Sequence, residues 1–331
     1  ELVTQTRDAL VATGVDASQV RTIAGGVSEG ADDARVVVAS VQTLLMRERF
    51  EWPSASLLVL DEAHHYASDE WCGVPREYAH AQHLGLTATP ERGDGRAMGD
   101  LFERLVVPTS VRELTEHGVL VPCVVYGPAT RKRALAALPH EALLQHRKQW
   151  RRAVVFAANV EHALEVAQQC RDAGMRAAVI TGDLDAETRA RTLREFREHA
   201  FDVLVNVFVL TEGFDDPAID ACVLARGCSH AGTFLQMVGR VIRAAPGKDR
   251  AIVLDLVGAV HDHGLPDAAR EYSLEGTAIK QGGERLALRQ CLACGAVYEV
   301  GPRQCERCGE RLGLVRSQPP EQVADHIAER S

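Results

Sequence analysis

Two adjacent carboxylates, Asp61 and Glu62, follow the apolar run Leu57-Leu58-Val59-Leu60 and precede Ala63-His64-His65. Such a run reads as a buried parallel strand, and in an open α/β sheet ligands gather at the carboxyl ends of strands. Hard oxygen ligands suit Mg²⁺, often through its waters. Asp61 could therefore hold the ion while Glu62 orients or deprotonates a water that attacks a phosphate. A strand that ends in a solvated acidic turn has the same local sequence, and these residues alone do not separate the two readings.

Near the other end, Cys291-Leu292-Ala293-Cys294 and Cys305-Glu306-Arg307-Cys308 form a C-x₂-C-x₁₀-C-x₂-C array, with Gly295 and Gly309 directly after the two pairs. Four thiolates at this spacing can enclose one tetrahedral Zn²⁺, and so small a unit has few other sources of stability. With all four positions filled by protein, the site is expected to be structural. Redox cysteines are the alternative for paired C-x-x-C motifs. The other five of the nine cysteines are scattered, which argues against a disulfide framework and for a reducing, cytoplasmic setting. A third group, Arg240 and Arg243 after Gln236 and Gly239, has the spacing to share one helical face and reach one target.

Alternating elements surround these groups. Residues 3–13 predict a helix, 35–39 a strand, 40–48 a short helix, and 57–60 and 83–86 strands, the last entering Thr87-Ala88-Thr89-Pro90. A second unit starts at Arg152, with strands at 153–156, 177–180, 203–205, 221–224 and 251–254 and helices at 160–173 and 186–199. This rhythm predicts parallel sheets flanked by helices. Three strands in front against five behind make the first unit look incomplete. Pro122, Pro128 and Arg131-Lys132-Arg133 predict a linker over 122–150, between a first domain at 1–121 and a second at 151–272. The tail at 273–331 carries the cysteine array.

With 331 residues the chain has room for two ordinary domains and a small appendage. Its hydrophobic content of 46% and charged content of 25% are ordinary for globular proteins. No apolar run approaches the roughly 18 residues of a membrane span. The first residues show neither a starting Met nor a signal-peptide profile, so the expectation is a piece of something longer. A formal charge of −9 argues against a globally basic nucleic-acid binder but leaves a local phosphate-tracking groove open.

In order and spacing, Asp61-Glu62-Ala63-His64, Leu86-Thr87-Ala88-Thr89-Pro90, Leu210-Thr211-Glu212-Gly213-Phe214-Asp215 and Gln236-Met237-Val238-Gly239-Arg240-Val241-Ile242-Arg243 resemble motifs II, III, V and VI of superfamily 2 helicases. With Ile180-Thr181-Gly182-Asp183, Val205-Asn206, Ala245-Pro246-Gly247-Lys248 and the cysteine tail, the chain is similar in particular to RadD-type bacterial DEAD/DEAH-box helicases. The resemblance covers residues 1–260. It implies an α/β fold of two RecA-like parallel-sheet domains, the first incomplete, plus a small C-terminal zinc ribbon. It implies ATP, Mg²⁺ and Zn²⁺ as cofactors, and an ATP-dependent helicase or translocase acting on DNA rather than RNA, in repair or defence. The ribbon would be free to take a protein partner.

Residue by residue, the resemblance makes Asp61 the ligand of a Mg²⁺ water and Glu62 the residue that positions the attacking water, with His64 coupling them to neighbouring motifs. Thr87 and Thr89 match the hydroxyl pair that links nucleotide state to inter-domain contact. Gly213 and Asp215 match positions near the ribose, and Gln236 and Gly239 lead to the arginine fingers Arg240 and Arg243. Nucleic-acid contacts would come from Gln5, Ser40, Gln42, Asn159, Thr181, Gly182 and Thr211, small polar groups and amides that hold phosphates without reading sequence. One part is missing. The Gly-rich loop G-x-x-x-x-G-K-[ST] that cradles phosphates occurs nowhere in the 331 residues, and is expected upstream of residue 1. The competing expectation is a non-catalytic or split module that binds nucleic acid or protein; a third is the motor part of a restriction or defence system.

Overall fold

The computed structural model describes residues 2–46, 52–68, 70–90, 97–129, 134–207, 209, 214–275, 288–299 and 303–312. The first lobe runs through helix α1 (Leu2–Ala12), strands β1 (Val20–Ala24), β2 (Val27–Glu29) and β3 (Val36–Ala39), helix α2 (Val41–Leu45), strand β4 (Leu57–Asp61), helix α3 (Gly73–Glu77), strand β5 (Gln82–Leu86) and helix α4 (Val111–Glu116). Among the described residues it holds five strands where three were expected. They form two separate sheets, ordered β2-β1-β3 and β4-β5. Strand β1 escaped the pattern because its two buried residues, Val20 and Ile23, stand three apart and do not alternate. Gly25 and Gly26, at φ 59° and 81°, make the two-residue turn of the β1-β2 hairpin, the conformation such a turn demands.

Strand β4 departs from the fully buried strand read above. Its neighbour β5 is parallel, in register from Leu57 opposite Gln82 to Asp61 opposite Leu86. Leu60 is buried with Tyr66, Val74 and Tyr78 in a small core. On the opposite face Leu57, Val59, Leu84 and Leu86 are each about half exposed, at 53%, 50%, 49% and 48%. Successive side chains of a strand point to opposite faces, and only one face of this pair is covered among the described residues.

The second lobe contains β6 (Cys123–Tyr126), α5 (Pro139–Gln145), β7 (Ala153–Phe156), α6 (Val160–Asp172), β8 (Ala177–Ile180), α7 (Ala186–Arg197), β9 (Val203–Asn206), β10 (Ala221–Leu224), α8 (Ala231–Gly239), β11 (Ala251–Asp255) and α9 (Val260–His263). Its six strands run parallel in the order β6-β11-β10-β7-β9-β8. Strands β7, β9 and β10 are buried at every residue, the mark of a sheet covered on both faces. Strand β6 and helix α5 fall where the sequence suggested a linker. Val125, Tyr126, Ala142, Leu143 and Trp150 are buried in this lobe, and the Trp150 indole N–H donates to the Leu143 carbonyl at 3.0 Å. Apolar burial outweighed the proline and basic composition. Helices α6 and α7 begin at Asn159 and Asp185, whose side chains accept the amides of His162 and Thr188 at 2.8 Å.

A final hairpin, β12 (Leu288–Gln290) and β13 (Val297–Glu299), is antiparallel and carries the cysteine loops. It is joined to β6 by a bridge between Tyr126 and Ala296, and Val297 is buried in the second lobe's core. The first lobe also meets the start of the tail: the amides of Met98 and Gly99 both donate to the Leu274 carbonyl at 2.9 Å. Among the described residues no helix is long and apolar enough to cross a membrane.

Candidate functional site

The β4–β5 register brings Asp61, Glu62, His64, Thr87 and Thr89 together. The exposed Asp61 accepts the Glu62 amide on Oδ1 at 3.0 Å. Glu62 itself is left-handed, φ 49° and ψ 50°, a conformation that is strained for a residue with a side chain. Strain of this sort is kept where surrounding structure enforces it, often at active sites. A single 3-10 turn, Ala63–Ala67, then carries His64 over β5. Its Nδ1 lies 3.0 Å from the Thr87 hydroxyl and 3.6 Å from the Glu62 carboxylate. The Thr87 hydroxyl donates to the Thr89 carbonyl and accepts the Thr89 amide, both at 3.1 Å. When the Thr87 proton goes to the Thr89 carbonyl, its oxygen accepts from His64, the tautomer that carries the imidazole proton on Nδ1. Burial, assisted by the Asp61 charge, pushes the Tyr66 hydroxyl up to about 12.

Thr89 is buried against the other lobe. A Cβ added at Gly232, in the first turn of α8, would stand 3.2 Å from its hydroxyl and 3.4 Å from its Cβ. Gly232 is a site residue that sequence reasoning missed, because nothing local marks a glycine whose use is close approach.

Arg240 and Arg243 do not share a helical face. Helix α8 ends at Gly239, Arg240 caps it, and Arg243 forms an antiparallel bridge with Leu120. The Val121 amide donates to the Ile242 carbonyl at 2.8 Å, and Val241 and Ile242 are buried, so pairing with the chain entering β6 ends the helix early. The two guanidinium groups still converge on one loop: Arg240 donates to the Phe214 carbonyl at 2.8 Å, and Arg243 donates to the Asp215 carboxylate. Gln236 and Gly239 lie on the last turns of α8, partly buried. Gly213 and Thr211 lie outside the described residues, as do Phe208 and Glu212.

The nucleic-acid candidates are less coherent. Parallel register sets Phe156, Asn206 and Ile180 side by side, so Asn159 and Thr181-Gly182 leave the same carboxyl edge of the second sheet. Ser40 leaves the carboxyl end of β3 and starts α2 without a side-chain cap bond, and Gln42 is exposed one residue into that helix. Asn159 spends its oxygen on capping α6, and Thr181 is buried. Gln5 is exposed on α1.

At the other site the four Sγ atoms of Cys291, Cys294, Cys305 and Cys308 lie within 4.8 Å of one another, with the Cys291–Cys308 and Cys294–Cys305 pairs at 3.6 Å. Thiolates about 2.3 Å from one zinc ion stand roughly 3.8 Å apart in a tetrahedron, so this donor set fits Zn²⁺. Gly295 and Gly309 are left-handed, at φ 77° and 76°, and their amides donate at 2.8 Å to the Cys291 and Cys305 carbonyls, closing both loops. The Tyr298 hydroxyl is 3.2 Å from Cys305 Sγ. The cysteine loops are fastened to the second lobe by Arg307, which donates to the Tyr126 hydroxyl at 2.8 Å and to the Gln149 side chain.

Comparison with known proteins agrees with this geometry. Residues 1–92 match the family described as type III restriction enzyme, res subunit, and residues 134–245 match the helicase conserved C-terminal domain. The chain belongs to the superfamily 2 helicases. It is 29% identical over 253 residues to a putative mitochondrial ATP-dependent helicase, irc3, of Schizosaccharomyces pombe, covering 67% of this chain and 42% of that one. It is 27% identical over 260 residues to the DNA 3'-5' translocase XPB2 of Sulfurisphaera tokodaii, covering 61% of this chain and 58% of that one. The chain thus spans about half the length of these curated relatives. In three dimensions it is similar to S. cerevisiae Dbp5 bound to RNA and ADP BeF3, with a TM-score of 0.59, 18% identity, and coverage of 80% of this chain and 73% of that one. The architecture is that of two RecA-like α/β lobes, as expected.

Proposed function

We propose that this chain forms the inter-lobe engine of an ATP-dependent helicase or translocase that acts on DNA. The observation that carries the reading is the contact between Thr89 and Gly232. It joins the Asp61-Glu62-His64-Thr87 cluster of one lobe to the helix that leads into Arg240 and Arg243 of the other. In this reading Asp61 faces Mg²⁺ of bound ATP and Glu62 orients the attacking water. His64 and Thr87 hold Glu62 in place and relay its state to Thr89. Arg240 and Arg243 stabilise charge that develops on the phosphoryl group, a role worth about 10³–10⁵ in rate in comparable enzymes. Arg243 would leave Asp215 to do so. The DNA translocase XPB2 among its relatives favours DNA over RNA, and the setting we propose is repair or defence. Zn²⁺ would be held by the four cysteines, as a structural ion. None of the nine cysteines is joined in a disulfide, in keeping with a reducing cytoplasm.

A second reading, a split or non-catalytic binding module, keeps the same nucleic-acid candidates on the carboxyl edge of the second sheet without nucleotide turnover. Both readings place nucleic acid on the carboxyl edges of the sheets. We expect single-stranded DNA to bind through about 3–5 phosphate contacts, giving a slope of roughly −2 to −4 when the logarithm of the association constant is plotted against the logarithm of salt. Fluorescence anisotropy across a salt series measures it. A slope near zero would rule out the groove in either reading.

A further inference from the structure

Lys248 is deeply buried, 7% exposed, and belongs to no step described so far. The turn that delivers it depends on Gly247, which is left-handed at φ 70°, and closes with the Lys248 amide donating to the Ala245 carbonyl at 3.1 Å. Its ammonium donates to three carbonyls: Pro217 at 2.7 Å, Ile219 at 2.6 Å and Arg243 at 2.8 Å. An ammonium has three hydrogens and no acceptor, so this set uses its whole capacity. Burial pushes Lys248 down to about 8, opposed by Asp220 and Asp216, so it still carries its charge at neutral pH. Those two aspartates are themselves engaged. Asp216 pairs with Arg152, and Asp220 pairs with Arg151 and accepts the Arg151 and Arg152 amides. Lys248 therefore has backbone oxygens as its direct partners.

Two of those oxygens belong to the loop that carries Asp215, and the third belongs to Arg243 itself. We propose that Lys248 is a positioning residue, a staple that fixes the backbone of Arg243 against the loop after Phe214, so that the Arg243 guanidinium is held opposite Asp215 and aimed from a constant origin. The inference rests on reading Arg243 as the phosphate-facing arginine, and deepens it: the arginine's reach is set from its carbonyl end by a lysine five residues on.

Hydrogen exchange followed by mass spectrometry tests the staple on the 331-residue chain without nucleotide. In K248A, amides of 216–220 and the Val121 amide, which donates to Ile242, are expected to lose protection together, roughly tenfold, while β7 and β10 stay unchanged. Adding n-butylammonium should restore both segments, and n-butanol should not. Should K248A fold poorly, K248M, which keeps the packing and lacks the donors, is expected to show the same paired loss, with no rescue by n-butylammonium because its side chain fills the space. Loss confined to one segment, loss extending to β7 and β10, or equal rescue by butanol would overturn the proposal. Because exchange is read without ATP, failure here leaves the proposed activity standing, and absence of ATP turnover leaves the staple standing.

Discussion

Replacing Arg152 by methionine is expected to destabilise the second lobe by about 3–5 kcal/mol, the cost of leaving one member of a buried ion pair without the other. The pair is 3% and 6% exposed, and it is bidentate, with both Arg152 Nη groups donating to Asp216 at 2.8 Å. Arg152 also donates to the Phe196 carbonyl at 3.0 Å, tying α7 to the same point. Asp216 begins the turn that follows Asp215, so the consequence reaches the proposed ATP site: the loop that receives Arg243 is held by a salt bridge beneath it. Denaturant unfolding gives the measurement. The double change R152M with D216L should lie closer to wild type than either single change, because it leaves no buried charge unpaired. A single-change loss below about 1 kcal/mol would mean that water reaches the pair.

Removal of metal is the second large effect. One zinc per chain is expected by metal analysis, and chelation or C305S should lower the thermal midpoint of the second lobe by more than about 5 °C. The size follows from where the ribbon sits. Cys291, Ala296, Cys305 and Leu312 pack in one continuous core with Tyr126, Leu143, Trp150 and Val155, so opening the cysteine loops uncovers the lobe and not merely the ribbon. An unchanged midpoint after complete zinc removal would contradict this. Leu292, in the first cysteine loop, is 92% exposed.

What could be read from the chain beforehand divides along physical lines. The second lobe's strands at 153–156, 177–180 and 221–224 were legible because continuous apolar runs are what a doubly covered parallel sheet requires. Strand β6 was hidden by prolines on either side, and β1 by its three-residue spacing of buried positions. The cysteine cluster was legible because local spacing alone brings the four thiols of 291–308 together. The turn at Arg240–Arg243 was not, since the helix is ended by a partner, Leu120, more than a hundred residues earlier in the chain. Gly232 and Lys248 act through contacts that only the tertiary structure supplies.

The 331 residues hold Asp61, Glu62, His64, Arg240 and Arg243 but no G-x-x-x-x-G-K-[ST] segment. The decisive measurement is therefore DNA-stimulated ATP hydrolysis by the purified chain, alone and with a G-x-x-x-x-G-K-[ST] segment of a relative joined in frame ahead of it. No turnover is expected from the chain alone. Turnover is expected with the added segment, and should fall by at least about 10²-fold on Glu62→Gln. Hydrolysis by the chain alone, or hydrolysis by the joined protein that Glu62→Gln leaves intact, would contradict the account.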